Sequence, residues 1–356
     1  MKIKNITSWV ADLENTRPYT IAFKTVDQVR NVFVEITLEN GLTGIGSGNP
    51  SEYVVGESFE QCEAALKPDN LDWLVGRDIR EINDLLWQVF EKLPDNPGAR
   101  NALDIALHDG FTKYLDVPLH KYLGVRSGPL ATSVTIGIKN IEDTLAETDE
   151  YYGMGYRVIK VKLGHDLEED IQRLRTMREK YEDELTIRID ANQGYNLEET
   201  IEFYVRTKKF NIELIEQPIK AKDVENMKGL PWEIRKKIAA DESLVSAKDA
   251  AYLLSGERAC GIFNIKLMKS GGIMQGRRIA NIALASDTEL MWGCNDESAV
   301  SITAALNAAY SFPNTKYIDL DGSLDLQNDV VKGGFTIKDG WMYPSDKPGL
   351  GVERVR

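Results

Sequence analysis

The sequence predicts an α/β protein, a TIM (β/α) barrel joined to a separate α+β domain. Three observations carry that expectation. Short apolar runs, each closing on a polar group, recur through the middle of the chain in steps of roughly 25 residues, the length of one strand–helix unit of such a barrel. Residues 1–125 instead read as a run of strands followed by a run of helices, the pattern of an α+β domain. The 356 residues suffice for a barrel of ~250 residues and about one hundred more.

Taken in order, Met1-Lys-Ile-Lys-Asn-Ile6 alternates like a strand and lacks the apolar core of a signal peptide. Residues 31–38 alternate, turn at Asn40-Gly41 and resume over 42–46, which makes a hairpin. Helical patterns cover 60–66, 79–93 and 99–114, the last with small apolar residues at helical spacing. The barrel segment, 126–322, opens with a strand over 132–137. Thr135 stands at its end, about 25 residues before Lys160. An ordinary β-branched strand residue is the alternative reading of Thr135.

The stretch Val158-Ile-Lys-Val-Lys-Leu163 is the most telling. Side chains alternate along a strand, so Lys160 and Lys162 share one face. Two ammonium groups on a mostly apolar strand are desolvated and repel each other. Both effects move a lysine from its reference of about 10.4 towards the ~7–8 of a general base. Two solvated lysines on a half-exposed strand remain the alternative. The following strands weigh against it: 186–190 ends in Asp190, 213–216 in Glu216, 237–241 in Asp241 and 262–266 in Lys266. The run 290–294 leads into Asn295, Asp296 and Glu297, and 316–319 ends on Asp319 with Asp321 beyond. Ionisable groups at the carboxyl ends of consecutive parallel strands converge on one mouth, where such barrels keep their chemistry. After Asp321, residues 335–338, Asp339-Gly340 and 341–343 form a hairpin, and 348–351 a final turn.

Composition narrows the function. A net charge of −13 argues against nucleic acid and anionic membranes, and no eighteen-residue apolar stretch spans a bilayer. Cys62, Cys260 and Cys294 fit neither a disulfide framework nor a metal-ligand spacing, which suits a reducing cytoplasm.

Lys-x-Lys at 160–162, Asp-Ala-Asn-Gln at 190–193, Ile-Glu-Gln-Pro at 215–218, Ala-Asp-Glu-Ser at 240–243 and Asn-Ile-Lys at 264–266 together resemble the enolase superfamily. More narrowly they resemble its muconate-lactonising subgroup and, within it, the dipeptide epimerases. The resemblance implies a modified TIM (β/α) barrel whose α+β capping domain is built from both chain ends, residues 1–125 with 323–356 returning to it. It places substrate-contacting loops at Lys24 and at 46–56, and turns Thr135 towards the substrate.

Three carboxylates from consecutive strands, Asp190, Glu216 and Asp241, are hard oxygen ligands of the kind that hold Mg²⁺. For any one of them an ion pair with a neighbouring lysine is the alternative. His108, His120 and His165 stand at no predicted strand end, so zinc is not expected. Lys162 and Lys266, four strand units apart in an eight-strand barrel, approach from opposite sides with the metal between them. That arrangement suits 1,1-proton transfer at an α-carbon through a metal-stabilised enediolate, which inverts the centre. Lys160 is read as the like charge that depresses Lys162. Asn192 and Glu242 are read as supports of the metal carboxylates, with loop polarity as the alternative. Lys269, three residues after Lys266, is read as a loop residue.

Asp319 and Asp321 repel each other unless a cation sits between them. The resemblance makes that cation the α-ammonium of a dipeptide. Asp296, with Glu52 in the capping loop, resembles the branch acting on dipeptides with cationic side chains. Lys24 matches a basic position of relatives that select glutamate, and Asp296 is weighed above it. The expected partner is therefore a small dipeptide, with an L-Ala-D/L-Glu-type epimerase as one alternative. A cycloisomerase or o-succinylbenzoate synthase on the same scaffold is another, and a catalytically silent metal-binding barrel a third. A homo-oligomer is left open.

Overall fold

The structure, a computed structural model, describes residues 1–21 and 24–355; within these the side chains of 15–28 are not described, so the Lys24 expectation lies outside the described side chains. Strands β1 (Ile3–Ile21), β2 (Lys24–Leu38) and β3 (Thr43–Gly48) form an antiparallel sheet in chain order. The hairpin between β2 and β3 turns where expected, with Gly41 at φ +86° and its amide on the Leu38 carbonyl at 2.9 Å. One face of the sheet alternates as Val32, Val34, Ile36 and Leu38, all buried against Leu85, Leu86, Val89 and the helix Pro97–Tyr114.

That helix is buried on every side from Pro97 to Thr112, because it is pressed between β3 and the barrel. Its small residues are the reason it fits. Gly44 and Gly46 of β3 lie so close that a Cβ on Gly46 would sit 1.8 Å from the Ala102 carbonyl oxygen.

The barrel strands run β5 (Val134–Ile136), β6 (Val158–Lys162), β7 (Thr186–Asp190), β8 (Ile215–Glu216), β9 (Ile238–Ala240), β10 (Ile262–Lys266), β11 (Glu289–Gly293) and β12 (Thr315–Asp319), preceded by the short β4 (Leu130–Ala131). All eight are parallel and neighbours in chain order, and a parallel bridge from Thr132 to Ile318 brings the first edge to the last. The predicted α/β barrel with an additional α+β domain is the observed fold. The predicted strands over 186–190 and 262–266 coincide with β7 and β10. Residues 213–216 contribute only Ile215 and Glu216 to a strand, although the Glu213 amide still donates to the Ile187 carbonyl of β7 at 2.9 Å.

Beyond the barrel come β13 (Val331–Gly333), β14 (Phe335–Lys338), β15 (Trp341–Pro344) and β16 (Val352–Arg354). β14 and β15 form the expected hairpin over Asp339-Gly340, extended by β4. The same terminal region touches the N-terminal domain. The Gln327 amide donates to the Glu14 carbonyl at 2.9 Å, the Leu350 amide to Asp109 Oδ1 at 2.8 Å, and Arg354 stacks 4.2 Å over Trp9. No described helix is long and apolar enough to cross a membrane.

Gly46→Ala should lower the stability by about 1–3 kcal/mol, the usual cost of overpacking. Gly128→Ala, in open space, should change it little. Urea denaturation of the two variants checks this, and equal midpoints would mean that the helix backs away freely.

Candidate active site

Parity along the strands decides what lines the barrel. Arg188 and Asp190 share the inner face of β7, Lys160 and Lys162 that of β6, and Asn264 and Lys266 that of β10. Where barrels of this type usually stack branched aliphatic side chains, this interior is polar. Arg188 lies deepest, its Nη1 on the Ile318 carbonyl at 2.7 Å and the Ser133 hydroxyl at 3.2 Å. Ser133 Oγ in turn donates to Asp319 Oδ1 at 2.6 Å.

Above that layer the charges alternate. Lys160 is ion-paired to Asp319 and stands 3.4 Å from Glu216 Oε2 and 3.9 Å from Asp190 Oδ2. Lys162 Nζ meets Asp190 Oδ2 at 2.6 Å. Across the mouth, Lys266 Nζ lies 2.9 Å from Asp241 Oδ2 and 3.8 Å from Glu216 Oε1. Lys269 pairs with Asp241 Oδ1 and donates to the Asp241 carbonyl at 2.5 Å. Asn264 Nδ2 holds Glu216 Oε1 at 2.8 Å, and Gln217 Oε1 accepts the Asp241 amide at 2.9 Å.

Two expectations change here. Lys160 is not an unpaired like charge beside Lys162. Burial opposes its charge, but Asp319, Glu216 and Asp190 outweigh burial and hold its pKa well above the ordinary value. Nor is Lys269 a loop residue; it is 3 % exposed and shares Asp241 with Lys266. The reason is the same for both: only the closed barrel shows how many carboxylates surround each ammonium. For Asp319 and Asp321, the chain itself supplies a cation in Lys160. Asp319 is fully engaged by Lys160 and Ser133, whereas Asp321 accepts the Thr135 amide at 2.7 Å and is only half-buried.

The remaining predicted residues sort by position. Asn192 donates from Nδ2 to Glu242 Oε1 at 2.6 Å and from its amide to Asp190 Oδ1 at 2.8 Å, while Glu242 Oε2 is buried without a partner. Asp296 is half-buried at the mouth, its carbonyl held by Asn49 Nδ2 at 2.7 Å. Glu52, in the short helix Glu52–Val55, is exposed. Buried acids dominate the electrostatics. Burial and then Asp190 push Glu216 up to about 8. Burial, Asp321 and Glu297 push Asp296 to about 8, burial pushes Glu297 to about 7, and burial with Asp319 pushes Asp321 to about 6. Asp241, against the pull of burial, is held well below the usual carboxylate range by Lys266 and Lys269. Sequence reasoning missed Lys269, Asn264, Gln217 and Arg188. Their one legible signal is parity with a neighbouring site residue, which Arg188 and Asn264 have and Gln217 and Lys269 do not.

Among the described residues, no three Asp, Glu, His or Cys side chains are already drawn together around an ion position. The donor set nevertheless fits a divalent cation. Asp190 and Glu216 are strand partners, both reached by Lys160, and Glu216 and Asp241 are both reached by Lys266. Each neighbouring pair of carboxylates thus already shares one cation. Carboxylates and lysines converging on the mouth of a parallel barrel define the class, a barrel enzyme whose chemistry sits at the carboxyl ends of its strands.

The comparison with known proteins agrees with that class. Residues 143–355 match the enolase C-terminal domain-like family, and residues 5–124 the mandelate racemase/muconate lactonizing enzyme N-terminal domain. The chain belongs to the enolase superfamily, and within it to the dipeptide epimerases, which are isomerases. It is 50% identical, over 100% of both chains, to the L-Lys-D/L-Arg epimerase of Desulforapulum autotrophicum. A crystal structure of the Methylococcus capsulatus dipeptide epimerase with Mg and L-Arg-D-Lys superimposes with a TM-score of 0.97 at 47% identity, covering 99% of each chain. The L-Ala-D/L-Glu epimerase of Clostridium acetobutylicum is 34% identical over 100% of this chain and 99% of its own.

Lys269→Met should destabilise the fold by about 3 kcal/mol, the lower end for breaking a buried ion pair, since Lys266 still faces Asp241. The double variant Lys269→Met, Asp241→Asn should recover part of that loss in urea denaturation. Additive losses would show that the pair is not coupled.

Proposed function

We propose that this chain is a Mg²⁺-dependent dipeptide epimerase that inverts an α-carbon by 1,1-proton transfer between two lysines. The observation that carries the reading is Lys162 and Lys266 on β6 and β10, on opposite sides of the Asp190–Glu216–Asp241 cluster. Those three carboxylates would hold the ion, which would supply fixed positive charge against the negative charge that builds on the substrate carboxylate as the α-proton leaves.

The chain's own groups do the rest. Lys162 and Lys266 stand where an α-carbon between them presents one face to each, so one removes the proton and the other returns one on the far side. Asp241 and Glu216 keep Lys266 protonated as long as their charge is unshared, despite its burial. Neutralisation of that cluster by a cation frees the lysine to act as a base. Asp321, less engaged than Asp319, is the group left to hold the dipeptide α-ammonium. The division into 1–125, 126–322 and 323–356 is part of the same reading, as is a cytoplasmic setting suited to the free cysteines Cys62, Cys260 and Cys294.

For the side chain, we infer a preference for Lys- and Arg-containing dipeptides. Burial, with Asp321 and Glu297 beside it, raises the pKa of Asp296 at the mouth, and a cation is what relieves such a carboxyl. The relatives at 50% and 47% identity carry cationic dipeptides in their names or ligands, which supports the same choice.

In D₂O, wild type should incorporate deuterium at the α-carbon of either stereoisomer. Lys162→Ala and Lys266→Ala should each stop epimerisation but leave exchange on one face, and excess chelator should stop exchange on both. Interconversion at wild-type rates by both single variants would rule out the two-base mechanism. Asp296→Leu should lower kcat/KM for cationic dipeptides about ten- to a hundredfold, equivalent to a charge-assisted bond of about 1.5–3 kcal/mol. The loss for Ala-Ala should be small. A wild type that prefers Ala-Glu, with an indifferent Asp296 variant, would overturn the cationic preference.

A further inference from the structure

Lys266 and Lys269 both belong to the segment that ends β10 and turns through Leu267–Ser270 into the helix Ile273–Ala285. That helix has no cap of its own, because Gly272 stands at its N-cap position. The first amides of a helix have no intrahelical partner and need an acceptor. The acceptor comes from the other domain. Asp104, 2 % exposed on the helix Pro97–Tyr114, takes the Ile273 amide on Oδ1 at 2.8 Å and the Met274 amide on Oδ2 at 3.1 Å. His108 Nδ1 lies 3.0 Å from the same Oδ1.

The turn between lysines and helix is shaped for this insertion. Gly271 and Gly272 have φ of +85° and +103°. A Cβ on Gly272 would stand 2.4 Å from Asp104 Cβ, and one on Gly271 2.6 Å from Arg100 Nε. Both glycine amides return to the Leu267 carbonyl, at 2.8 and 3.0 Å, and Ser270 Oγ donates to the Lys266 carbonyl at 3.3 Å. The turn's outer face is gripped as well, with Met268 Sδ accepting the Asn49 amide at 3.1 Å. The Lys162 side is held differently, from within the barrel: the Gly164 amide donates to Asp170 Oδ2 at 2.8 Å, and Tyr195 and Arg173 bond the same carboxylate.

We propose that Asp104 is a positioning residue for one half of the reaction: by capping the helix Ile273–Ala285 from the N-terminal domain, it sets the place of Lys266 and Lys269 without touching substrate. The inference rests on the two-lysine reading above. It predicts an asymmetry that a merely structural role lacks, because a misplaced base loses rate while a base held elsewhere does not.

The test is α-proton exchange in D₂O, followed from each stereoisomer of a cationic dipeptide, with Lys162→Ala and Lys266→Ala assigning each face to its lysine. Asp104→Ala should lower kcat for exchange on the Lys266 face on the order of 10- to 100-fold with KM little changed. The Lys162 face should change by less than about threefold. Asp104→Asn keeps a capping oxygen and should restore most of the Lys266-face rate. If Asp104→Ala does not fold, the Asn variant should show the same asymmetry at smaller size. Equal losses on both faces, or none on either, would overturn the positioning role while leaving the epimerase reading intact. No exchange by wild type would overturn both together.

Discussion

Four ammonium groups, on Lys160, Lys162, Lys266 and Lys269, and four carboxylates, on Asp190, Glu216, Asp241 and Asp319, share the mouth of this barrel. Burying any one of them alone carries an effective penalty of several kcal/mol. The arrangement survives because every charge has an opposite partner within 4.0 Å. That pairing is what lets a barrel interior be polar at this level. It also makes the site responsive: an added cation redistributes charge among groups that already face one another.

The strand ends carry the cost of presenting those groups. Asn192, Gln193 and Gln217 take positive φ of 48°, 67° and 31° immediately beyond Asp190 and Glu216. Non-glycine residues held there cluster at functional sites, where surrounding bonds over-determine them. The bonds are visible here. Gln217 Oε1 accepts from the Asp241 amide and the Ser243 hydroxyl, Gln193 Oε1 accepts the Ala221 amide, and the Asn192 amide returns to Asp190. Side-chain amides thus lock three neighbouring strand ends into one rim.

The N-terminal domain is part of that rim rather than an appendage. The helix Pro97–Tyr114 is small on its β3 face and polar on its barrel face. Gly44 and Gly46 meet Ala106 and Ala102 on one side, Asp104 reaches the amides of Ile273 and Met274 on the other, and Asn101 bonds both the Ser47 carbonyl of β3 and the Ser301 hydroxyl of the barrel. Its weak amphipathicity is therefore a consequence of being buried all round.

Much of the fold was legible because each barrel unit repeats one local rule, an apolar strand closing on an ionisable group. That rule located Lys162, Asp190, Glu216, Asp241 and Lys266 from order and parity alone, and the Asn40-Gly41 and Asp339-Gly340 turns from their φ requirements. The partners of those residues were not legible. Lys160 pairs with Asp319 across 159 positions of sequence, Asp104 with Ile273 across 169, and Lys269 reaches Asp241 from a helical turn outside the strand pattern. Sequence by itself determined the strand–helix repeat and the faces on which the ionisable groups lie, because backbone periodicity is local. Only the tertiary structure decided which charges neutralise which, because burial and Coulomb attraction depend on distance in the folded chain.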